Sequence, residues 1–330
     1  MHCASAALVA GVVALNLTLF ASSTAQTLSP VHGQRYSMGT MFDIVVYHGS
    51  RDDAESAIEN AFAEISRLDD VLSHYKAGSN LSKLNREARR ATVHVDPSLF
   101  DVLSQSTALS RRSGGKFDVT IAPLLRTWKA AAAQGRRPTS NEVDEARRCV
   151  GSEKIRITPP DEIAFLSDCL ELDLGGIGKG FAVDRALAVL KSAGIQHAMI
   201  NAGGSSIAAM GAPPGRTGWP VLLGGTTTAR RLLLLKGNSV STSKQDPDAD
   251  FGHIIDPDTG APVDPHTSVS VVAPHATLSD ALSTTVLILS RERAEQLLAE
   301  FESVSALWIS PDGELRGVYG RAHLELLDAR

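Results

Sequence analysis

Apolar side chains recur every three or four residues over residues 53–72, which is the spacing of one face of an α-helix. The same pattern predicts a helix from Phe181 to a stop at Gly194. Thr139 and Glu142 have the spacing of a capping box and predict a short helix that ends at residue 147. Further helices are predicted at residues 97–112, 279–289 and 292–301. Residues 75–85 are polar and rich in turn residues, which predicts a loop.

Alternation of apolar and polar residues predicts one strand at residues 36–47 and a series of shorter strands along the rest of the chain. The shorter strands are expected at residues 154–158, 163–167, 171–174, 197–201, 206–210, 221–223, 232–235, 239–242, 269–273, 306–309 and 315–319. No segment repeats, and no linker is longer than a loop. The pattern predicts one α+β domain over residues 26–330, with mixed and antiparallel sheets and packed helices.

The stretch LDLGGIGKGFAVD at residues 172–184 joins a predicted strand to a predicted helix through a glycine-rich turn. Glycine lets a ligand come close to backbone N–H groups, and the N-terminus of a helix favours an anion such as phosphate. The stretch is not a P-loop, because Asp173 and Gly180 stand where that motif needs a Gly and a Ser or Thr, and it does not complete a dinucleotide-binding fingerprint. A phosphate-binding turn and a tight turn without a ligand both fit it.

Composition is that of an ordinary globular protein, with 43% hydrophobic and 21% charged residues. The net charge of −5 and the lack of a basic run argue against nucleic acid as the main partner. Residues 1–25 carry no charged side chain and are mostly apolar from residue 6 to residue 21, which predicts export to the periplasm with a signal peptide cut near Gln26. Because no Lys or Arg precedes the apolar run, an uncleaved anchor in the inner membrane is the alternative.

Two cysteines, Cys149 and Cys169, follow that segment and flank the strands predicted at residues 154–158 and 163–167. In an exported protein the pair can close this hairpin as a disulfide, and two small buried thiols are the other interpretation. Their spacing does not match a metal site.

Asp280 and Thr284 are four residues apart on a predicted helix and therefore share one face. A carboxylate and a hydroxyl are hard oxygen ligands that suit Mg²⁺, which takes few protein ligands and leaves room for phosphate oxygens. Ser283 is a further candidate oxygen, and Ser279 is a candidate cap of the helix. The alternative is that Asp280 is only a charge favoured at a helix start.

His253 precedes two isoleucines and the turn sequence Asp-Pro-Asp-Thr-Gly at residues 256–260. A general base needs such a rigid setting, and a hairpin preceded by a surface histidine has the same pattern. A serine hydrolase is not supported, because no G-x-S-x-G motif is complete in the chain.

Taken in order, seven motifs resemble the ApbE family of FAD:protein FMN transferases, also called flavin transferases. They are YSMGT at residues 36–40, LSHYKAGSNLSKLN at 72–85, SGGKFDVTIAPL at 113–124, LDLGGIGKGFAVD at 172–184, INAGGS at 200–205, HIIDPDTGAPV at 253–263 and SDALSTTV at 279–286. Seven ordered motifs are far more specific than any one of them.

The resemblance implies a T-fold-related catalytic domain and an exported, Mg²⁺-dependent enzyme. Such an enzyme takes FAD, cleaves its pyrophosphate, transfers FMN through a phosphoester bond to a threonine hydroxyl of a partner flavoprotein, and releases AMP. Chemistry of this kind depends mainly on positioning and charge neutralisation, which a metal ion and a glycine-rich turn supply. Lys179 either adds positive charge near the phosphates or is solvated.

The resemblance also assigns roles to positions. His253 matches the proposed base, and the Gly178 carbonyl, Asp280 and Thr284 match the metal ligands. The positions that line the flavin nucleotide are Met38, Tyr75, Phe117, Asp118, Gly175, Phe181 and Ile255. Since aromatic residues make up only 5% of the chain, stacking on the isoalloxazine would rest on Tyr75, with Phe181 as a second candidate.

The chain departs from the family pattern between Ser243 and His253. The family usually has Thr-Ser-Gly followed by a longer segment with an aromatic residue, whereas here Lys244 follows Ser243 and nine residues separate Ser243 from His253. The shorter segment bears on the rim of the flavin pocket and on docking of the acceptor. An FAD pyrophosphatase that uses water as acceptor is therefore the close rival function. An FAD-binding protein without turnover is a rival of another class, and the presence of Asp280, Thr284 and His253 counts against it.

Overall fold

The structure is a computed structural model and describes residues 28–223, 231–245, 252–263, 268–310 and 314–328. The signal peptide or anchor expected at residues 1–25 lies outside the described residues. The helices are α1 Arg51–Leu72, α2 Asn80–Glu87, α3 Pro97–Arg112, α4 Ala122–Ala132, α5 Ser140–Arg147, α6 Gly178–Ser192, α7 Ala276–Ile288 and α8 Arg291–Leu298. Within the described ranges, none of the helices is both long and apolar enough to cross a bilayer.

The strands form one large sheet and two small ones. They are β1 Pro30–Ser37, β2 Thr40–Tyr47, β3 Val93–His94, β4 Ile155–Thr158, β5 Glu162–Phe165, β6 His197–Ala202, β7 Ser206–Met210, β8 Trp219–Leu223, β9 Arg231–Leu235, β10 Ser239–Lys244, β11 Ser268–Ala273, β12 Ser305–Ile309, β13 Leu315–Gly320 and β14 Leu326–Asp328. The large sheet has the order β1-β2-β6-β7-β10-β11-β12-β13, and the small sheets are β14-β9-β8 and β3-β5-β4. All paired strands are antiparallel, which confirms the α+β class.

Helices cover one face of the large sheet, and the sheet β14-β9-β8 packs on part of the other face. The alternation of β10 shows how the two faces differ, because successive side chains of a strand point to opposite sides. The side chains of Ser239 and Ser241 point towards α7, where both hydroxyls contact the Ser279 hydroxyl. Val240, between them, lies on the opposite face and belongs to a separate hydrophobic cluster that includes Trp219 of β8.

Helix α1 forms because its sequence suits its N-terminus and its buried face. The Ser50 hydroxyl caps the N-terminus by accepting a hydrogen bond from the Asp53 N–H, and the apolar stripe buries Ile58, Phe62 and other residues. A methyl group at Gly33 in β1 would lie 2.8 Å from the Phe62 ring, so the glycine lets α1 lie close to the sheet. Each such fully buried side chain contributes about 1.5–3 kcal/mol.

The structure corrects the strand expected at residues 36–47, which is a hairpin of β1 and β2. Met38 and Gly39 form its turn with positive φ angles of 49° and 77°. The apolar alternation continues through the turn, so periodicity does not reveal the reversal. The loop expected at residues 75–85 contains the start of α2. The Ser79 hydroxyl caps this helix by accepting a hydrogen bond from the Ser82 N–H.

Two further differences concern the centre of the chain. Helix α4 was not predicted. The strand expected at residues 171–174 pairs with none of the strands that the structure describes. The Asn85 side chain takes the place of a neighbouring strand, because its amide oxygen accepts from the Leu172 N–H at 2.8 Å and its amide nitrogen donates to the Leu172 carbonyl at 3.0 Å.

Cys149 and Cys169 form a disulfide, with 5.2 Å between their Cα atoms. The bond joins the end of α5 to the segment that leads into the glycine-rich turn. Of the two interpretations left open by the sequence, the structure has the cross-link around β4 and β5.

We expect replacement of both cysteines by serine to lower the free energy of unfolding by about 3 kcal/mol, because the cross-link closes a loop of moderate length in the unfolded chain. The sequence separation of the two cysteines is 20. Urea unfolding of the oxidised protein and of the double variant measures the difference, and the reduced wild type serves as the control that should match the variant. Identical unfolding midpoints for the oxidised protein and the variant would contradict the expectation.

Candidate active site

The N-terminal ends of α6 and α7 meet, and this junction brings the expected metal ligands to the glycine-rich turn. Helix α6 begins at Gly178, one turn earlier than the sequence pattern predicts, and its own N-cap residue, Ile177, offers no side-chain cap. The Gly180 N–H in the first turn donates instead to Asp280 Oδ2 of α7, at 2.9 Å. Asp280 therefore satisfies one of the donors that a helix leaves unpaired at its N-terminus.

At Gly180 these two helices lie in close contact. A methyl group at this position would lie 2.7 Å from Asp280 Cβ and would overlap the Ala276 carbonyl oxygen. Only a residue without a side chain lets the backbones cross here, so this glycine of the motif has a packing reason that does not depend on a ligand.

Thr284 lies one turn after Asp280 and faces the same glycine-rich turn. A methyl group at Gly176 would lie 3.5 Å from Thr284 Oγ1 and 3.4 Å from the Phe117 ring, so these three residues are neighbours. The Thr284 hydroxyl also lies 3.1 Å from the Ser243 hydroxyl at the end of β10.

The serines near Asp280 hold α7 against β10. Ser283 contacts the Ser243 hydroxyl at 2.7 Å and donates to the Asp280 carbonyl at 2.9 Å. The expectation that Ser279 caps α7 is wrong, because the helix begins at Ala276 and the Ser279 hydroxyl lies within it, 2.8 Å from the hydroxyl of Ser241.

Asp280 is an unusual carboxyl group, with only 5% of its surface exposed. Burial raises its pKa, although the charge of Lys179 and the Gly180 N–H act in the opposite direction. The buried Ser206 hydroxyl also lowers the pKa of Asp280, although its oxygen has no hydrogen-bond partner among the described residues. A carboxylate held in this setting is stabilised by a neighbouring cation.

The donor set suits a hard cation. Among the described residues, no group of three or more His, Cys, Asp or Glu side chains could hold a metal. An ion at this junction would instead take the Asp280 carboxylate, the Thr284 hydroxyl and the Gly178 carbonyl, with its remaining positions left for ligand oxygens. One carboxylate with neutral oxygen donors is the coordination that Mg²⁺ accepts at phosphate sites.

Most of the N–H groups in the glycine-rich turn already have protein acceptors. The Gly175 N–H donates to Asp173 Oδ1 at 2.6 Å, and the N–H groups of Ile177 and Gly178 donate to the Leu174 carbonyl. The turn is therefore a rigid support in this structure, with few backbone donors left to meet a phosphate.

The segment that carries His253 is held at two points. The Ile254 N–H donates to Gln245 Oε1 at 3.1 Å, and Gln245 Nε2 donates to the Ile254 carbonyl at 3.3 Å. Gln245 itself is buried and follows β10 directly. His253 is exposed, whereas Ile254 and Ile255 are buried.

Lys116 fastens the turn that follows His253. Its ammonium group lies 2.6 Å from Asp256 Oδ1 and 2.9 Å from Asp258 Oδ2. Burial lowers the pKa of Lys116, but the two carboxylates outweigh it and raise that pKa overall. The indole N–H of Trp128 also donates to the Gly260 carbonyl at 2.7 Å. The motif at residues 113–124 and the motif around His253 are therefore one structural unit.

Several residues that the family resemblance assigns to flavin binding make contacts within the protein itself. Asp118 accepts hydrogen bonds from the Thr120 N–H and hydroxyl and from the Ser152 N–H, and burial raises its pKa. Phe117, Ile255 and Phe181 are buried side chains, and Phe181 belongs to the main core.

Two other flavin positions are open to a ligand. Tyr75 is 86% exposed, and its ring packs edge-on against His74. Met38 is half-buried in the β1–β2 turn, and its terminal methyl would lie 3.7 Å from a side chain at Gly178. Stacking on a flat ligand would therefore fall to Tyr75, because the ring of Phe181 lies in the core.

An open groove of about 500 Å³ lies elsewhere, between α2 and β3. Its basic lining residues are Lys83, Arg86, Arg90 and His94. None of the residues expected to bind flavin or metal lines it, so we do not place the active site there.

Sequence reasoning missed four residues that organise the site: Asn85, Lys116, Asp184 and Ser243. Asn85, Lys116 and Asp184 lie inside the seven motifs and Ser243 lies ten residues before the sixth, but the partners of all four are far away in the chain. For Asp184 the only available signal was its place four residues after Gly180 in one motif.

The fold is shared with flavin transferases of known structure. The apo crystal structure of the Pseudomonas stutzeri flavinyl transferase ApbE is 24% identical in sequence and superposes with a TM-score of 0.76, covering 92% of this chain and 95% of that one. The flavin transferase ApbE from Vibrio cholerae is 23% identical with a TM-score of 0.77, covering 92% and 97%. These likenesses define the fold class as that of the flavin transferases.

Sequence comparison then assigns the family. The sequence model of the ApbE family matches residues 38–308 of this chain. The FAD:protein FMN transferase of Treponema pallidum is 31% identical over 323 residues, covering 89% of this chain and 88% of its own length. The enzyme of the same name from Haemophilus influenzae is 27% identical over 307 residues, covering 87% and 88%. The chain belongs to the ApbE family, and the predicted enzyme class is confirmed.

Proposed function

We propose that the chain catalyses Mg²⁺-dependent transfer of FMN from FAD to a threonine hydroxyl of a partner flavoprotein. The threonine oxygen forms a phosphoester bond with the FMN phosphorus, the P–O bond of the pyrophosphate breaks, and AMP leaves with the bridging oxygen. The observation that carries the proposal is the meeting of Asp280 and Thr284 with the glycine-rich turn, in a chain that belongs to a family of flavin transferases.

Asp280, Thr284 and the Gly178 carbonyl are the residues that would hold Mg²⁺. When bound, the ion supplies charge neutralisation at the pyrophosphate oxygens, which is the largest requirement of phosphoryl transfer. The buried position of Asp280 would keep water away from its carboxylate when the ion is held there, and Ser243 orients the Thr284 hydroxyl. The exposed ring of Tyr75 would stack on the flavin ring.

His253 takes the proton of the incoming threonine in this proposal. Its exposure supports the role, because a protein acceptor has to reach the base from outside. The contacts of Gln245 and Lys116 on either side supply the rigidity that a general base needs.

We also propose that the protein works outside the cytoplasm. The apolar, uncharged residues 1–25 support export or anchoring at the inner membrane. The Cys149–Cys169 disulfide supports the same location, since such bonds persist in oxidising compartments.

The decisive experiment incubates residues 26–330 with FAD, Mg²⁺ and a flavin-acceptor domain that contains the target threonine. The acceptor is weighed by intact mass spectrometry while AMP is assayed. A mass increase equal to one FMN phosphoester, AMP release, and loss of both on addition of EDTA are the expected results. AMP and free FMN without a mass shift would identify an FAD pyrophosphatase, and no AMP at all would leave an FAD-binding protein.

We expect His253→Ala to keep FAD binding and to lower the transfer rate by about 10²–10⁴-fold, which is the usual contribution of a general base. FAD binding is measured by flavin fluorescence and transfer by acceptor mass. His32→Ala is the matched control, because His32 is an exposed histidine on β1 outside the motifs. Undiminished transfer in His253→Ala would remove this residue from the mechanism.

A further inference from the structure

Asp184 of α6 is fully engaged at the N-terminus of α7. Its Oδ1 accepts from the Ala276 N–H at 2.8 Å, and its Oδ2 accepts from the Thr277 N–H at 2.8 Å and from the Thr277 hydroxyl at 2.5 Å. The N-cap residue of α7, His275, makes no side-chain cap of its own. The cap of α7 is therefore supplied by another helix.

The arrangement is reciprocal. Asp280 of α7 accepts from the Gly180 N–H in the first turn of α6, while Asp184 of α6 accepts from the first turn of α7. Gly180 and Asp184 are four residues apart, as are Ala276 and Asp280, so each pair lies on one face of its helix. Two carboxylates thus bind two helix N-termini across a crossing where the backbones touch at Gly180.

This geometry ties the direction of the Asp280 side chain to the position of Asp184. The first turn of α7 cannot slide or rotate against α6 while the N–H groups of Ala276 and Thr277 bind the Asp184 carboxylate. Asp280 and Thr284 follow within the next two turns, so the same contacts set where their oxygens point.

A further attachment of α7 is independent of Asp184. The hydroxyls of Ser241 and Ser243 on β10 hold Ser279, Ser283 and Thr284 from the sheet side. Removal of the Asp184 carboxylate would leave α7 on the sheet but would free its N-terminus relative to α6. The fold would persist while the alignment of the metal ligands becomes less precise.

We propose that Asp184 is a positioning residue that sets the affinity for the divalent cation by aligning Asp280 and Thr284 with the glycine-rich turn. The inference rests on the proposed Mg²⁺-dependent function. It adds a residue that touches neither the metal nor the substrate and acts only through α7.

The test measures Mg²⁺ binding and Mg²⁺ dependence separately from maximal activity. Mg²⁺ is titrated calorimetrically into the FAD-loaded wild type, Asp184→Ala and Asp184→Asn, and transfer rates are recorded against Mg²⁺ concentration. We expect Asp184→Ala to raise both the Kd for Mg²⁺ and the half-maximal Mg²⁺ concentration by about 10–100-fold, as for other residues that orient ligands. The rate at saturating Mg²⁺ should change far less.

Asp184→Asn keeps one oxygen acceptor and should fall between the wild type and Asp184→Ala, which tests the inference even if the alanine variant folds poorly. Thr139→Ala is the matched control, because it removes the cap of α5 by a single side chain that belongs to neither α6 nor α7. It should lower thermal stability without changing Mg²⁺ binding.

The failures can be told apart. Absence of Mg²⁺ binding in the wild type would overturn the proposed function together with this inference. A wild type that binds Mg²⁺, with unchanged Kd in both Asp184 variants, would overturn the inference alone and reduce Asp184 to an ordinary helix cap.

Discussion

Asp280→Asn is expected to lower FMN transfer by about 10³-fold or more, because it removes the one charged ligand of the proposed cation. A metal ion supplies several kcal/mol of charge stabilisation in such reactions, and each 1.36 kcal/mol corresponds to a factor of ten in rate. The amide keeps the shape of the carboxylate and one oxygen that can accept from the Gly180 N–H. The loss should therefore come from chemistry and not from repacking.

The same substitution is expected to leave the metal-free protein at least as stable as the wild type at pH 7. Burial raises the pKa of Asp280, so the folded state holds its proton more tightly than the unfolded state does. That contribution to stability is present below the unfolded pKa of about 3.9 and is lost as the pH rises through the higher folded pKa. At pH 7, well above the unfolded pKa, the wild-type carboxyl group thus carries a burial cost that the amide does not.

Urea unfolding in EDTA at acidic and neutral pH checks this behaviour, and thermal unfolding with added Mg²⁺ gives the complementary measurement. The wild type should gain stability relative to the variant on acidification, and Mg²⁺ should raise the melting temperature of the wild type only. Transfer within tenfold of the wild type, or an equal Mg²⁺ effect on both proteins, would show that Asp280 is not a metal ligand.

Gly180→Ala is expected to destabilise the protein by about 1–3 kcal/mol, the usual cost of forcing an extra methyl group into a packed crossing. Helix propensity alone predicts the opposite sign, because Ala is favoured over Gly inside a helix by about 1 kcal/mol. The methyl group would press on the Ala276 carbonyl and on Asp280 Cβ, so α7 has to move. Transfer should fall by at least about 10²-fold, since a shift of about 1 Å at a reacting centre has that effect.

Gly49→Ala is the control for this variant. Gly49 has no heavy atom within 4 Å of the added methyl group, so its replacement should stay within about 0.5 kcal/mol of the wild type. Unfolding midpoints and Mg²⁺-saturated transfer rates are compared for the two variants. A Gly180→Ala protein that is more stable than the wild type and fully active would mean that the helices do not approach as closely as described.

Local sequence patterns predicted the elements whose apolar face or capping residues lie within the element itself. Helices α1 and α3 follow long apolar stripes, and α5 begins at the expected capping box of Thr139 and Glu142. Periodicity failed where a tertiary contact replaced a local one. The extended residues 171–174 pair with the side chain of Asn85 instead of a strand, and α7 begins before Ser279 because a carboxylate from another helix caps it.

The sequence by itself determined the α+β class, the chemistry of the candidate residues and, through seven ordered motifs, the family. It also placed Asp280 and Thr284 on one helix face, because that relation depends only on the helical repeat. Only the tertiary structure decided how the site is assembled. The Gly180 N–H and Asp280 are 100 residues apart in the chain, and Asp184 and the Ala276 N–H are 92 apart. Because the unpaired donors of a helix end can be satisfied by any acceptor that the fold brings near, no local pattern identifies the partner.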